Sequence, residues 1–163
     1  MKQGFRIAAA TLTLSALALT PAASAQYRNT VAHNPASCND AGSPKIRVQV
    51  NGVKEARGTV RAQVYYGTKG EWLEKGKWLT RVETPARAGT MTFCLPVPAA
   101  GTYAVAVRHD VNNNGKTDLS TDGGGMSNNP PINLLNLGRP SHTRTAFQAS
   151  AGVTTISINM RYR

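Results

Sequence analysis

Thr102-Tyr103-Ala104-Val105-Ala106-Val107-Arg108-His109 runs straight into Asp110-Val111-Asn112-Asn113-Asn114-Gly115-Lys116-Thr117-Asp118. The first half decides the fold. Tyr103, Val105, Val107 and His109 fall at every second position, the period of a strand with one face buried. Upstream the pattern recurs. Lys45 to Val50 sets Ile46, Val48 and Val50 against Lys45, Arg47 and Gln49, and Asn51-Gly52 then signals a turn. Thr59 to Tyr65 sets Val60, Ala62 and Val64 against Arg61 and Gln63. Thr90 to Leu95 places Met91, Phe93 and Leu95 inward and Cys94 on the opposite face. Trp78 to Val82, Arg144 to Ala149 and Thr154 to Tyr162 complete about seven short strands, the last with Ile156, Ile158, Met160 and Tyr162 inward. One apolar and one polar face per strand is the habit of antiparallel sheets. With turns rich in glycine and proline and no long helical stretch, the pattern predicts an all-β chain. It forms a single antiparallel β-sandwich over residues 45–163.

The connections are mostly short. Glu71 to Lys75 predicts one helical turn between the sheets. Val111 to Pro140 is the exception: about thirty residues with little periodicity, a length usually reserved for functional loops. Within it, Gly123-Gly124-Gly125 lacks the Lys-Ser/Thr of a phosphate loop and is expected as a flexible hinge. Leu134, Leu135 and Leu137 are expected to dock part of the loop.

The first 25 residues are set apart from the fold. Lys2 and Arg6 precede an uncharged apolar stretch, Ile7 to Leu19, and Ala23-Ser24-Ala25 fits the small-x-small rule of a cleavable signal peptide. Gln26 follows, so a lipid-anchored cysteine is not expected. Removing 25 residues from 163 leaves 138, and no second apolar run of spanning length follows. The mature chain is expected to be exported, periplasmic or secreted, and without a transmembrane segment. Residues 26–44 then form an irregular lead-in.

Two cysteines, Cys38 and Cys94, are expected to pair in an oxidising compartment, clasping this lead-in over one sheet outside the main core. The formal charge is +11, or +9 once Lys2 and Arg6 leave with the signal. That excess favours anionic partners, with an anionic envelope component the candidate outside the cell; because the basic residues are scattered along alternating strands, a merely solvated cationic surface is the competing reading. No nucleic-acid partner is expected, because that role needs a basic, aromatic-lined groove and an intracellular address.

The second half of the opening stretch carries the chemistry. Side-chain oxygens at alternate positions with a glycine at the fold-back are what a calcium loop uses. Asp110, Asn112 and Asn114 would be ligands, Lys116 would offer its carbonyl, and Asp118 would bind directly or through water. A bidentate glutamate is missing, since Thr121 and Asp122 stand where it would fall, and Lys116 and Arg108 oppose a cation. Calcium would therefore be weak and structural, with Kd about 10⁻⁴ to 10⁻³ M. The competing reading is a metal-free network of Asx-turns. His109 reads as a half-buried histidine hydrogen-bonded to the loop. Adjacent in a strand, His109 and Asp110 point to opposite faces and form no dyad. His33 and His142 have no zinc spacing. Trp72 and Trp78, near Tyr65 and Tyr66, read either as edge packing or as an exposed stacking platform for a carbohydrate or polymer.

Gly101-Thr102-Tyr103-Ala104-Val105-Ala106-Val107, then His109-Asp110-x-Asn112-x-Asn114-Gly115-x-x-Asp118, then Gly125-Met126-Ser127-Asn128-Asn129, resemble the bacterial family domain of unknown function 2141. The start fits Ile46 to Val64 and the aliphatic-to-tyrosine end fits Ile156 to Tyr162, so the resemblance covers about 45–163. It implies an exported Ig-like or transthyretin-like β-sandwich and no activity. The chain departs from the family at Leu119-Ser120-Thr121-Asp122-Gly123-Gly124, where a longer glutamate-bearing stretch is usual. The expected function is a non-enzymatic binding or scaffolding module of the cell envelope. A carbohydrate- or polymer-binding module using Trp72 and Trp78, or a hydrolase around His109, Asp110 and Asp118, are the alternatives.

Overall fold

The computed structural model describes residues 27–40, 42–132 and 138–163. The signal-peptide reading of residues 1–25 and the docking of Leu134, Leu135 and Leu137 fall outside them.

Nine strands among the described residues form two sheets: β1 (Asn29–Val31), β2 (Lys45–Val53), β3 (Thr59–Tyr66), β4 (Thr80–Pro85), β5 (Gly89–Pro96), β6 (Gly101–Asp110), β7 (Gly123–Met126), β8 (Phe147–Ala149) and β9 (Val153–Asn159). The larger sheet has the order β1-β4-β3-β6-β7, with β8 sharing the β6 edge beyond β7. The smaller sheet runs β5-β2-β9. The all-β sandwich expected from the alternation is what the chain forms. Ile46, Val48, Val50, Phe93, Leu95 and Ile158 of the smaller sheet face Val60, Val64, Val82, Tyr103, Val105 and Val107 of the larger across one core. Valine and isoleucine dominate because branched side chains pack well on a pleated, half-buried surface.

Three details differ from the sequence reading. The sheets are not purely antiparallel: β1 pairs β4, and β2 pairs β9, in parallel. Alternation has the same period in both kinds of ladder, so it carries no direction. Second, Arg144 falls in a one-turn helix α1 (His142–Thr145), and only Phe147–Ala149 is strand.

Third, Gly123-Gly124-Gly125 is no hinge. It is the body of β7, registered against Val107, Arg108 and His109. Glycine is needed there for close approach. A Cβ on Gly123 would lie 2.3 Å from the Tyr162 ring, and one on Gly125 would lie 2.6 Å from Ile158 and 3.0 Å from the Asn159 carbonyl. Gly124 exchanges both backbone hydrogen bonds with Arg161, at 3.0 and 2.9 Å, so β7 bridges the larger sheet to the chain beyond β9.

The lead-in is not wholly irregular: its residues 29–31 join the larger sheet as β1, and the stretch around Cys38 then lies against the outer face of the smaller sheet. Cys38 and Cys94 form the disulfide, with Cα atoms 5.6 Å apart. Among the described residues no helix is long and apolar enough to cross a membrane.

Candidate functional site

β6 delivers Asp110 to the mouth of the loop with its carboxylate buried. Asp110 Oδ1 accepts the Asn114 N–H at 3.2 Å, and Oδ2 accepts the Gly115 N–H at 2.9 Å. Gly115 takes φ +76°, the left-handed conformation that a fold-back here requires. Asn112 Oδ1 accepts the Asn114 N–H at 3.2 Å, and Asn114 Oδ1 accepts the Lys116 N–H at 2.8 Å. Their amide groups then donate to Asp118 Oδ2, at 2.9 and 2.6 Å. Those two bonds, Asn112 first, hold the Asp118 carboxyl below its ordinary range.

Two residues that the calcium reading did not use complete the loop. Asp122, buried, accepts the Val111 N–H at 3.1 Å and the Asp118 N–H at 3.0 Å. Arg108 donates to Asp110 Oδ2 at 3.1 Å and to the Gly115 carbonyl at 3.1 Å. The only sequence signal for either was proximity to the motif.

The sequence-predicted ligands Asp110, Asn112, Asn114 and Asp118 are thus brought together, but as an Asx-turn network. Toward Asp118 the two asparagines present N–H₂ groups, and a guanidinium already holds Asp110. Among the described residues, no group of three or more His, Cys, Asp or Glu side chains is arranged to hold a metal. In this metal-free fold the loop's own N–H groups take the oxygens of Asp110, Asn112 and Asn114.

His109 is fully buried. Its Nε2–H donates to the Arg57 carbonyl at 2.7 Å, which leaves Nδ1 to accept the Tyr162 hydroxyl at 2.7 Å. The Tyr162 oxygen in turn accepts the Lys54 N–H at 3.1 Å. Both ring nitrogens are therefore spent, one on the C-terminal segment and one on the turn between β2 and β3, not on the loop as expected. His33 donates to the Thr92 carbonyl at 2.9 Å on the other sheet.

The stacking-platform reading of Trp72 and Trp78 is corrected by their burial, at 6% and 8% exposure. Trp72 donates its indole N–H to the Pro140 carbonyl at 2.8 Å and meets Tyr65 edge-on. The Arg81 guanidinium covers the Trp78 ring at 4.1 Å from its centroid. Each large apolar ring gains more from this packing than from solvent exposure, and the indole N–H has a partner.

What the outer face of the larger sheet does present is a groove of about 750 Å³. Its floor is Ala106, Gly124 and Met126, with Leu73 and Ile132 in the wall. Arg61, Arg108, Arg139, Arg161 and Arg163 surround it. Arg61 and Arg108 are directly paired across β3 and β6, an unfavourable juxtaposition of like charge unless anions intervene. Glu83 pairs Arg61, Asp110 pairs Arg108, and Glu74 pairs Arg139 at 3.7 Å. Among the described residues Arg161 and Arg163 meet no carboxylate; the Arg161 guanidinium donates to the Asn129 carbonyl at 3.4 Å. Burial, and then the neighbouring Arg61 charge, depress the Arg81 guanidinium just beyond the rim. A faint signal for this face exists in the sequence. Tyr103-Ala104-Val105-Ala106-Val107 is apolar on both parities, so β6 turns alanines rather than charges outward.

No curated protein and no solved structure matches this sequence. A family model described as an uncharacterized protein conserved in bacteria matches residues 48–157. That span holds β2 through most of β9, the Asp110 loop and the glycines of the groove floor, and over it the chain belongs to the family domain of unknown function 2141.

Proposed function

We propose that the mature chain is an exported, non-enzymatic binding module of the cell envelope that captures an anionic component on the outer face of its larger sheet. The observation that carries this is the groove in which five arginines surround a floor of small and apolar side chains. Guanidinium groups in excess of carboxylates, beside low-dielectric walls, focus a positive potential outward. The disulfide is compatible with an oxidising compartment. Support for a non-enzymatic role is chemical. A general base must reach substrate, and His109 is sealed with both nitrogens bonded, while Asp110 and Asp118 are committed to the loop. We assign the Asp110 loop a scaffolding role, holding Arg108 at the groove rim.

The test is sedimentation with vesicles. Anionic phosphatidylglycerol vesicles should capture the protein at low salt and release it as salt rises. Neutral phosphatidylcholine vesicles should not. An Arg139→Gln/Arg161→Gln variant should lower capture severalfold. Equal capture by both vesicle types, unchanged in the variant, overturns the proposal.

A further inference from the structure

We infer that the groove takes one single-chain amphiphile at a time, a fatty-acid-like molecule with its anionic head on the arginines and its chain over Ala106, Gly124 and Met126. This rests on the anion-binding reading above and names the ligand class. Three observations carry it. The lining combines two chemistries: five arginines against one carboxylate, Asp122, and an apolar set of Leu73, Ala106, Gly124, Met126 and Ile132. A compact anion would leave that apolar surface wet, and an apolar chain alone would leave Arg161 and Arg163, which meet no carboxylate among the described residues, without an anionic partner.

The second observation is what the lining lacks. Gln63 and Thr117 are its uncharged side-chain amide and hydroxyl groups other than the tyrosines. A glycan needs many such partners, or an aromatic face, and both tryptophans are buried. The third is Leu119, at 60% exposure the one exposed large hydrophobic among the described residues, which belongs to the groove lining and adds apolar surface for a chain. At about 750 Å³ the groove is within the range of ligand sites, about 300–1,000 Å³.

Gly124 supplies a clean block. A Cβ there would lie 3.9 Å from its nearest neighbour, the Val107 carbonyl, so a larger side chain enters the groove without disturbing the sheet.

The experiment measures binding of octanoate, dodecanoate and dodecanol to the oxidised mature protein by calorimetry, below their aggregation limits. Dodecanoate should bind at least about tenfold more tightly than octanoate, because four further methylenes leave water. Dodecanol should bind about tenfold more weakly than dodecanoate, because it offers no charge to the arginines. Gly124→Leu should weaken dodecanoate about tenfold at an unchanged melting temperature. Arg161→Gln, at a solvent-facing site, should weaken dodecanoate severalfold and dodecanol not at all. Equal affinity for octanoate and dodecanoate, or for dodecanoate and dodecanol, overturns the inference. So does unimpaired binding by folded Gly124→Leu. Capture by anionic vesicles without dodecanoate binding would leave the anion-binding module standing and remove only this ligand class. Failure of both removes both.

Discussion

The two sheets carry the same outward pattern in sequence, basic residues at alternate positions, and put it to different uses. On the smaller sheet the lead-in consumes it. Arg47 donates to the Cys38 carbonyl and the Asn39 side chain, at 2.9 and 2.8 Å, and Lys45 donates to the Asp40 carbonyl at 2.9 Å. On the larger sheet Arg61 and Arg108 flank an open groove, with two further arginines that meet no carboxylate among the described residues. Outward polarity in a strand is therefore two things: donors waiting for the chain's own carbonyls, and donors left for something else. Alternation cannot separate them.

The largest expected effect lies on the closed face. The disulfide spans 56 residues, worth roughly 4 kcal/mol in the chain-entropy model. Cys38→Ser/Cys94→Ser should lower unfolding free energy by about that much in urea, while dodecanoate affinity at the opposite face stays unchanged. A parallel loss of affinity in protein that is still folded would mean the two faces are coupled through the core.

Next come the neighbouring glycines of β7, one facing in and one facing out. Gly125→Val puts side-chain atoms into Ile158 and the Asn159 backbone and should cost about 1–3 kcal/mol, as overpacking does. Gly124→Leu should move stability by no more than about 0.5 kcal/mol, as an exposed substitution. Equal costs at both positions would show that the groove floor is packed rather than open.

Asp110→Ala removes the acceptor of two backbone N–H groups and of Arg108, a loss of about 1–3 kcal/mol. It should also lower dodecanoate affinity by freeing Arg108 from its place at the rim. Calcium is the sharper half of this test. An ion at ten times its Kd would add about 1.4 kcal/mol. Millimolar calcium is expected to leave the melting curve where it was, and a calcium-dependent rise abolished by Asp110→Ala would overturn the scaffolding role.

The sandwich was legible because burial on one face imposes a period of two, and Ile46, Val60, Phe93 and Val105 show it plainly. Cys94 was placed outward by parity alone, and its partner followed from compartment. What could not be read depended on contacts distant in sequence. Gly123 and Gly125 look like a hinge until Tyr162 and Ile158 are seen pressing on them. His109 looks like a loop histidine until the Tyr162 hydroxyl and the Arg57 carbonyl take its ring. The tryptophans needed Pro140 and Arg81 in place before their burial was visible. The groove was least legible, since its chemistry is shared among three strands, the loops beside them and the chain's last residues.

The smallest effect compares two aspartates, one from each region. Gly42 N–H and then Lys45 lower the Asp40 carboxyl, on the lead-in, and Asn112 and Asn114 lower that of Asp118, in the loop. For both, the folded pKa lies below the unfolded value of about 3.9. The unfolded chain therefore binds protons first, and the stability each contributes is fully present above that value. It is lost as pH falls through the folded pKa. Asp40 is exposed and Asp118 half-buried, so solvent screens both and the shift in denaturation midpoint should be slight. Asp118→Asn should lower the midpoint at pH 7 and converge on the parent protein as pH falls through the lowered folded pKa, and Asp40→Asn should do the same. If Asp40→Asn alone flattens the acid limb while Asp118→Asn leaves it untouched, the Asn112 and Asn114 amides do not hold that carboxylate in solution. The loop would then position Arg108 through Asp110 and Asp122 only.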